Sequence, residues 1–125
     1  MPEISADTKL LGIIGNPVEH SKSPQMHKRF AELTGGDYIY LAFKVEKDGL
    51  GAAIEGIRAL GVCGVNVTAP YKFDVMKYLD EISPDAKKFG SVNTVVNKDG
   101  RLIGYNTDAG GGEKERGREG RKRKK

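Results

Sequence analysis

Three polar groups follow one short apolar run. In Gly64-Val65-Asn66-Val67-Thr68-Ala69-Pro70-Tyr71-Lys72 an amide, a hydroxyl and an ammonium fall within seven residues, with a proline between the last two. Asn66 and Thr68 lie two apart, so in an extended chain their side chains point the same way. Pro70 fixes its own backbone angle and so stiffens the approach to Lys72. A lysine held in a partly desolvated cleft can exchange protons with a reacting oxygen, and a nearby carboxylate orients it. Taken singly, the same residues also describe an ordinary turn, with Asn and Thr bonding their own backbone and a solvated lysine opening a helix.

Further candidates stand on either side. Ser21 and Ser23, in Ser21-Lys22-Ser23-Pro24, sit where a helix begins, and free N–H groups at such an end favour a carboxylate. Ser23 followed by Pro24 is equally a plain helix cap. Asn93 interrupts the apolar run of residues 92–96, and a buried amide needs partners, either a ligand or neighbouring backbone. Asp108 ends Tyr105-Asn106-Thr107-Asp108, as a carboxylate for Lys72 or as a cap for a following helix. His20 and His27 have no partner at metal-ligand spacing, so no metal site is expected. Cys63, between Val62 and Gly64, reads as a small core residue, and a single thiol builds no disulfide framework.

The elements that must position these residues alternate between two periodicities. Strands are expected over residues 9–14, 38–45, 64–67, 92–97 and 102–105, the last two joined through Lys98-Asp99-Gly100, a hairpin signal. Helices are expected over 23–34, stopped by Gly35-Gly36, over 48–60, stopped by Gly61, over 72–79, and over a short span from Pro84 to Phe89. Strands alternating with helices predict an α/β fold: a layered α/β sandwich whose mostly parallel mixed sheet is flanked by helices, with an antiparallel pair near its end.

Charge divides the chain in two. The net charge is +4, but residues 113–125 carry eight Lys or Arg against three Glu, leaving the first 112 residues at −1. A nucleic-acid-binding domain places its positive charge on a folded face, and here it lies in a tail of Glu, Lys, Arg and Gly that can bury no apolar surface. The expected organisation is a domain over 1–108 and a Gly-rich, then basic, disordered tail over 109–125. No apolar run is long enough to span a bilayer, and the first residues lack the pattern of a secretory signal.

Four segments together carry a family resemblance: Ile14-Gly15-Asn16-Pro17-Val18 with Ser21-Lys22-Ser23-Pro24-Gln25-Met26-His27; Gly64 through Lys72 as quoted; Gly90-Ser91-Val92-Asn93-Thr94; and Gly104-Tyr105-Asn106-Thr107-Asp108. In order and spacing the sequence resembles the shikimate dehydrogenases over roughly residues 10–108. The resemblance implies that Ser21 and Ser23 hold the substrate carboxylate and that Asn66, Thr68 and Asn93 grip ring hydroxyls. It makes Lys72 and Asp108 the catalytic pair, both beside the substrate, with Lys72 as proton shuttle and Asp108 orienting it. The implied reaction is reduction of 3-dehydroshikimate to shikimate with NADPH, in the cytoplasm.

Family members continue into a Rossmann domain that holds NADP, and into a substrate-contacting glutamine near the C-terminus. Nothing after Asp108 matches either. The expectation is therefore a substrate-binding half, cut before the cofactor domain, that binds shikimate weakly, holds no NADP tightly and turns nothing over by itself; a homodimer, or a partner chain that carries the cofactor domain, is left open. Two other classes stay open. One is a stand-alone binding module for a cyclic polyol carboxylate, and the other an anion- or nucleic-acid-binding protein acting through the basic tail. Within the enzyme class, quinate is an alternative substrate.

Overall fold

The computed structural model describes residues 4–18, 28, 31–32 and 34–107. Its strands are β1 (Lys9–Gly15), β2 (Tyr38–Lys44), β3 (Gly64–Val67), β4 (Glu81–Ile82), β5 (Thr94–Lys98) and β6 (Arg101–Tyr105). The helices described throughout are α1 (Leu50–Leu60) and α2 (Pro84–Phe89), with 3-10 turns at Lys47–Gly49 and Asp74–Tyr78. The six strands form one sheet in the order β2-β1-β3-β5-β6-β4. β1 runs parallel to β2 and to β3, and β4 parallel to β6, while β3–β5 and β5–β6 are antiparallel. The expected α/β fold with a mostly parallel mixed sheet is therefore present.

Local chemistry sets the helix ends. Gly61, at φ 71°, ends α1 by donating its N–H to Ile57 O, and Leu50, Ile54 and Ile57 face inward at helical spacing. Ser83 Oγ accepts the Ala86 N–H to cap α2, Pro84 opens the first turn, and Gly90, at φ 69°, closes it. Between β5 and β6, Asp99 and Gly100 both take positive φ, as a tight primed hairpin turn requires. The core joins Ile14, Val65, Val67, Val95 and Leu102 of the sheet to the inward face of α1 and to Tyr71, Val75, Ala86 and Val92.

Three expectations need correction. The helix expected over 72–79 is a 3-10 stretch, because the Lys72 carbonyl is taken by the Val92 N–H (2.8 Å) and Met76 turns to Phe73 O instead. β4 was not expected; it exists because Asp80 and Ser83 donate their N–H groups to Leu102 O and Gly104 O on either side of it. β5 begins at Thr94 rather than at 92, since Val92 is turned toward Lys72. Of the helix expected over 23–34, residues 28, 31, 32 and 34 are described and helical, and Gly36 donates to Ala31 O beyond them. The expected tail over 109–125 lies outside the described residues. Among the described residues no helix is long and apolar enough to cross a membrane.

The topology concentrates polar groups at one end of the sheet. β1 and β3 end together, and the antiparallel neighbours put the start of β5 and the end of β6 at the same level, with Asn66 opposite Thr94 and Thr94 opposite Tyr105.

Candidate functional site

Backbone bonds draw two loops together where β1 and β3 end. The Thr68 N–H donates to Ile14 O (2.9 Å) and the Asn16 N–H to Ala69 O (3.1 Å). Gly15 is required by this approach, because a Cβ there would run into Thr68 Cγ2 and stand 3.1 Å from the Ala69 carbonyl oxygen. Beyond Thr68 the chain reverses through a cis Ala69-Pro70 peptide, with the Tyr71 N–H returning to Thr68 O at 3.1 Å. The buried Tyr71 ring anchors that turn, its hydroxyl donating to Val45 O at 2.6 Å. Lys72 follows at once, half-buried, while Thr68 is half-buried on the other side of the turn.

Beneath the turn lies a buried polar network. Among the described residues, Asn66, Asn93 and Thr94 are the buried polar side chains of an otherwise apolar interior, each at most 2% exposed. The Tyr40 hydroxyl donates to Asn66 Oδ1 at 2.6 Å, and Asn66 Nδ2 donates to Thr94 Oγ1 at 3.3 Å and to Asn93 O at 3.5 Å. Thr94 Oγ1 donates in turn to Asn93 Oδ1 at 3.0 Å, which also receives the Thr107 N–H at 3.0 Å and the Thr107 hydroxyl at 3.3 Å. Burial and the neighbouring Tyr38 push the Tyr40 phenol up to about 12, so it stays protonated and able to donate.

One atom stands outside this pairing. Asn93 Nδ2 is buried and has no hydrogen-bond partner among the described residues. The orientation of its amide is fixed by chemistry: a backbone N–H can donate but not accept, so the atom facing Thr107 N is the oxygen. Two N–H donors are thus left over. An unpaired buried amide costs on the order of 1–3 kcal/mol, and such groups occur where a ligand or water completes them.

Of the residues singled out from the sequence, Asn66, Thr68, Lys72 and Asn93 come to one end of the sheet, joined through the Lys72 O to Val92 N–H bond and the Val67 N–H to Asn93 O bond. Ser21, Ser23 and Asp108 lie outside the described residues. Tyr40, Thr94 and Thr107 belong to the network as well; Thr94 and Thr107 stand in the quoted motifs without an assigned role, and Tyr40 stands in none of them. A threonine beside the candidate amide and a tyrosine two places from another in β2 were the available signals. Among the described residues no group of three or more His, Cys, Asp or Glu comes together to hold a metal ion.

Comparison with known proteins identifies the family. Residues 13–95 match a family described as the shikimate dehydrogenase substrate binding domain. Shikimate dehydrogenase (NADP(+)) of Bacillus cytotoxicus is 57% identical over 100 residues, which is 80% of this chain and 36% of that protein. The enzyme of the same name from Pyrococcus furiosus is 55% identical over 105 residues, 84% of this chain and 38% of that one. Among solved structures, shikimate 5-dehydrogenase from Listeria monocytogenes in complex with shikimate and NAD superimposes with a TM-score of 0.77 at 42% identity, covering 96% of this chain and 42% of that chain. The chain therefore spans little more than a third of the length of the curated relatives it matches. It belongs to the shikimate dehydrogenase substrate binding domain family.

Proposed function

We propose that this chain is the substrate-binding and proton-handling part of an NADP-dependent shikimate dehydrogenase, acting in the cytoplasm on 3-dehydroshikimate and shikimate. The observation that carries the reading is Asn93 Nδ2, a buried donor without a partner among the described residues, set beside Asn66, Thr68 and Lys72 at the end of the sheet. A ring hydroxyl or ketone oxygen supplies the acceptor that this amide lacks. In this reading Thr68 and the remaining hydrogen-bonding capacity of Asn66 hold further ring hydroxyls, and Ser21 and Ser23 hold the carboxylate. Lys72 donates a proton to the oxygen of the ketone as the carbonyl carbon is reduced and takes it back in the reverse direction; Asp108 orients the ammonium.

The described helix entries offer a dinucleotide pyrophosphate little: the first turn of α2 is already capped by the Ser83 hydroxyl, and the approach to α1 sets Glu46 and Asp48 against Lys44 and Lys47, with no excess of positive charge. No described residue is assigned to the cofactor. We assign the folded unit to residues 1–108 and a separate tail to 109–125.

An amide-resolved NMR titration with shikimate tests the reading. Shifts gathered at Ser21, Ser23, Asn66, Thr68, Lys72 and Asn93 are expected, and this stretch alone should yield no reduced cofactor from shikimate and NADP. A folded spectrum that ignores millimolar shikimate would overturn the binding assignment.

A further inference from the structure

The network under the turn is directional, and two backbone groups set its direction. The Thr107 N–H can act as a donor and nothing else, so it pins Asn93 Oδ1. The Asn93 carbonyl can act as an acceptor and nothing else, so it pins Asn66 Nδ2. With Nδ2 on that side, Asn66 Oδ1 faces the Tyr40 oxygen at 2.6 Å, and Tyr40 must supply the proton of that bond. Thr94 Oγ1, receiving from Asn66 Nδ2, is left to give its own proton to Asn93 Oδ1. Every bond from Tyr40 to Asn93 then runs one way and ends on an amide whose NH2 has no partner among the described residues.

From this order we infer that Tyr40 is a positioning residue of the site: through Asn66 and Thr94 it holds the Asn93 amide with its NH2 presented, so that the place facing Asn93 selects a ligand oxygen able to accept. The inference rests on the substrate reading for the identity of that ligand, but the relay itself exists without ligand. Tyr40 has the required reserve as a donor, since its phenol loses its proton at about 12. Without the phenol hydrogen, Asn66 Oδ1 would be left buried without that donor. Rotating the amide to repair this would turn Asn66 Oδ1 toward Thr94, drawing the threonine proton away from Asn93.

The test compares Tyr40→Phe with Tyr38→Phe, which lies two residues along the same strand and outside the relay. Tyr40→Phe is expected to keep the dispersed spectrum of a folded chain, to move the Asn93 side-chain NH2 signals before any ligand is added, and to weaken shikimate binding about tenfold. Tyr38→Phe should do none of the last two. In a cycle with Asn93→Ala, the losses from the two sites should not add, because one acts through the other. Asn93 signals that stay in place, or fully additive losses, would overturn the inference. If Tyr40→Phe fails to fold, Thr94→Val interrupts the same relay and must give the same shift and loss. If the wild-type chain ignores shikimate, the substrate reading fails, and the relay stands or falls on the Asn93 signals of the free chain.

Discussion

At the scale of single residues, Asn93 serves two purposes with the two ends of one amide. Its oxygen accepts from Thr94 and Thr107 and so holds β5 to the end of β6, while its nitrogen has no partner among the described residues and, in the proposed reading, meets the ligand. Asn93→Ala should therefore fail in two separable ways. The Thr94 hydroxyl and the Thr107 N–H lose their acceptor, which is expected to cost about 1–3 kcal/mol, read as a lower urea midpoint with an unchanged slope. Shikimate binding should be lost as well, even at temperatures where the variant is fully folded. A variant with native stability that still bound shikimate would contradict both assignments. Asn66, Thr68, Lys72 and Asn93 were legible in the sequence because each is a polar residue set in or just after an apolar run. Tyr40 was not, since a tyrosine in a strand is well accounted for by packing, and its partner Asn66 lies twenty-six residues away.

At the scale of elements, α1 and the β5–β6 hairpin were readable because their determinants are local: apolar spacing with a glycine stop, and an Asp-Gly turn. β4 and the 3-10 stretch were not, because distant partners make them. β4 in particular depends on Asp80, whose carboxylate accepts the Leu102 N–H at 2.8 Å and the Arg58 guanidinium at 2.9 Å, tying α1 to β6. Arg58 also bonds Glu55 on its own helix and, through Nε, Gly100 O in the hairpin turn. The Leu102 N–H, and then Arg58, hold the Asp80 carboxyl below its ordinary value. A carboxyl whose pKa is lowered by folding adds stability above its unfolded pKa, and that stability is lost as pH falls through the folded pKa. The wild-type urea midpoint should accordingly decline as pH drops below the ordinary carboxylate range. Asp80→Ala should start lower at neutral pH and show a shallower acid decline. Parallel curves for the two proteins would mean that Asp80 does not link these elements energetically.

At the scale of the whole molecule, charge and burial separate along the sequence. The apolar core draws on residues from Leu11 to Ile103, whereas residues 113–125 hold a net +5 and no residue able to join it. The polar site lies where strands from distant parts of the chain end or begin together, so its geometry is a property of the sheet. If the folded unit is residues 1–108, as proposed, then removing 113–125 should leave both the urea midpoint and the shikimate titration unchanged. The same deletion should abolish whatever retention the chain shows on immobilised DNA, a retention that must itself fall steeply with salt because solvated charges on a tail bind by counterion release. The two readouts distinguish the classes of function open to this sequence. A deletion that spares shikimate binding and removes DNA retention places the specific chemistry in the sheet and leaves the tail a nonspecific polycation. A deletion that weakens shikimate binding would make the tail part of the site, since its basic residues would then be reaching the substrate carboxylate, and the boundary at residue 108 would be wrong.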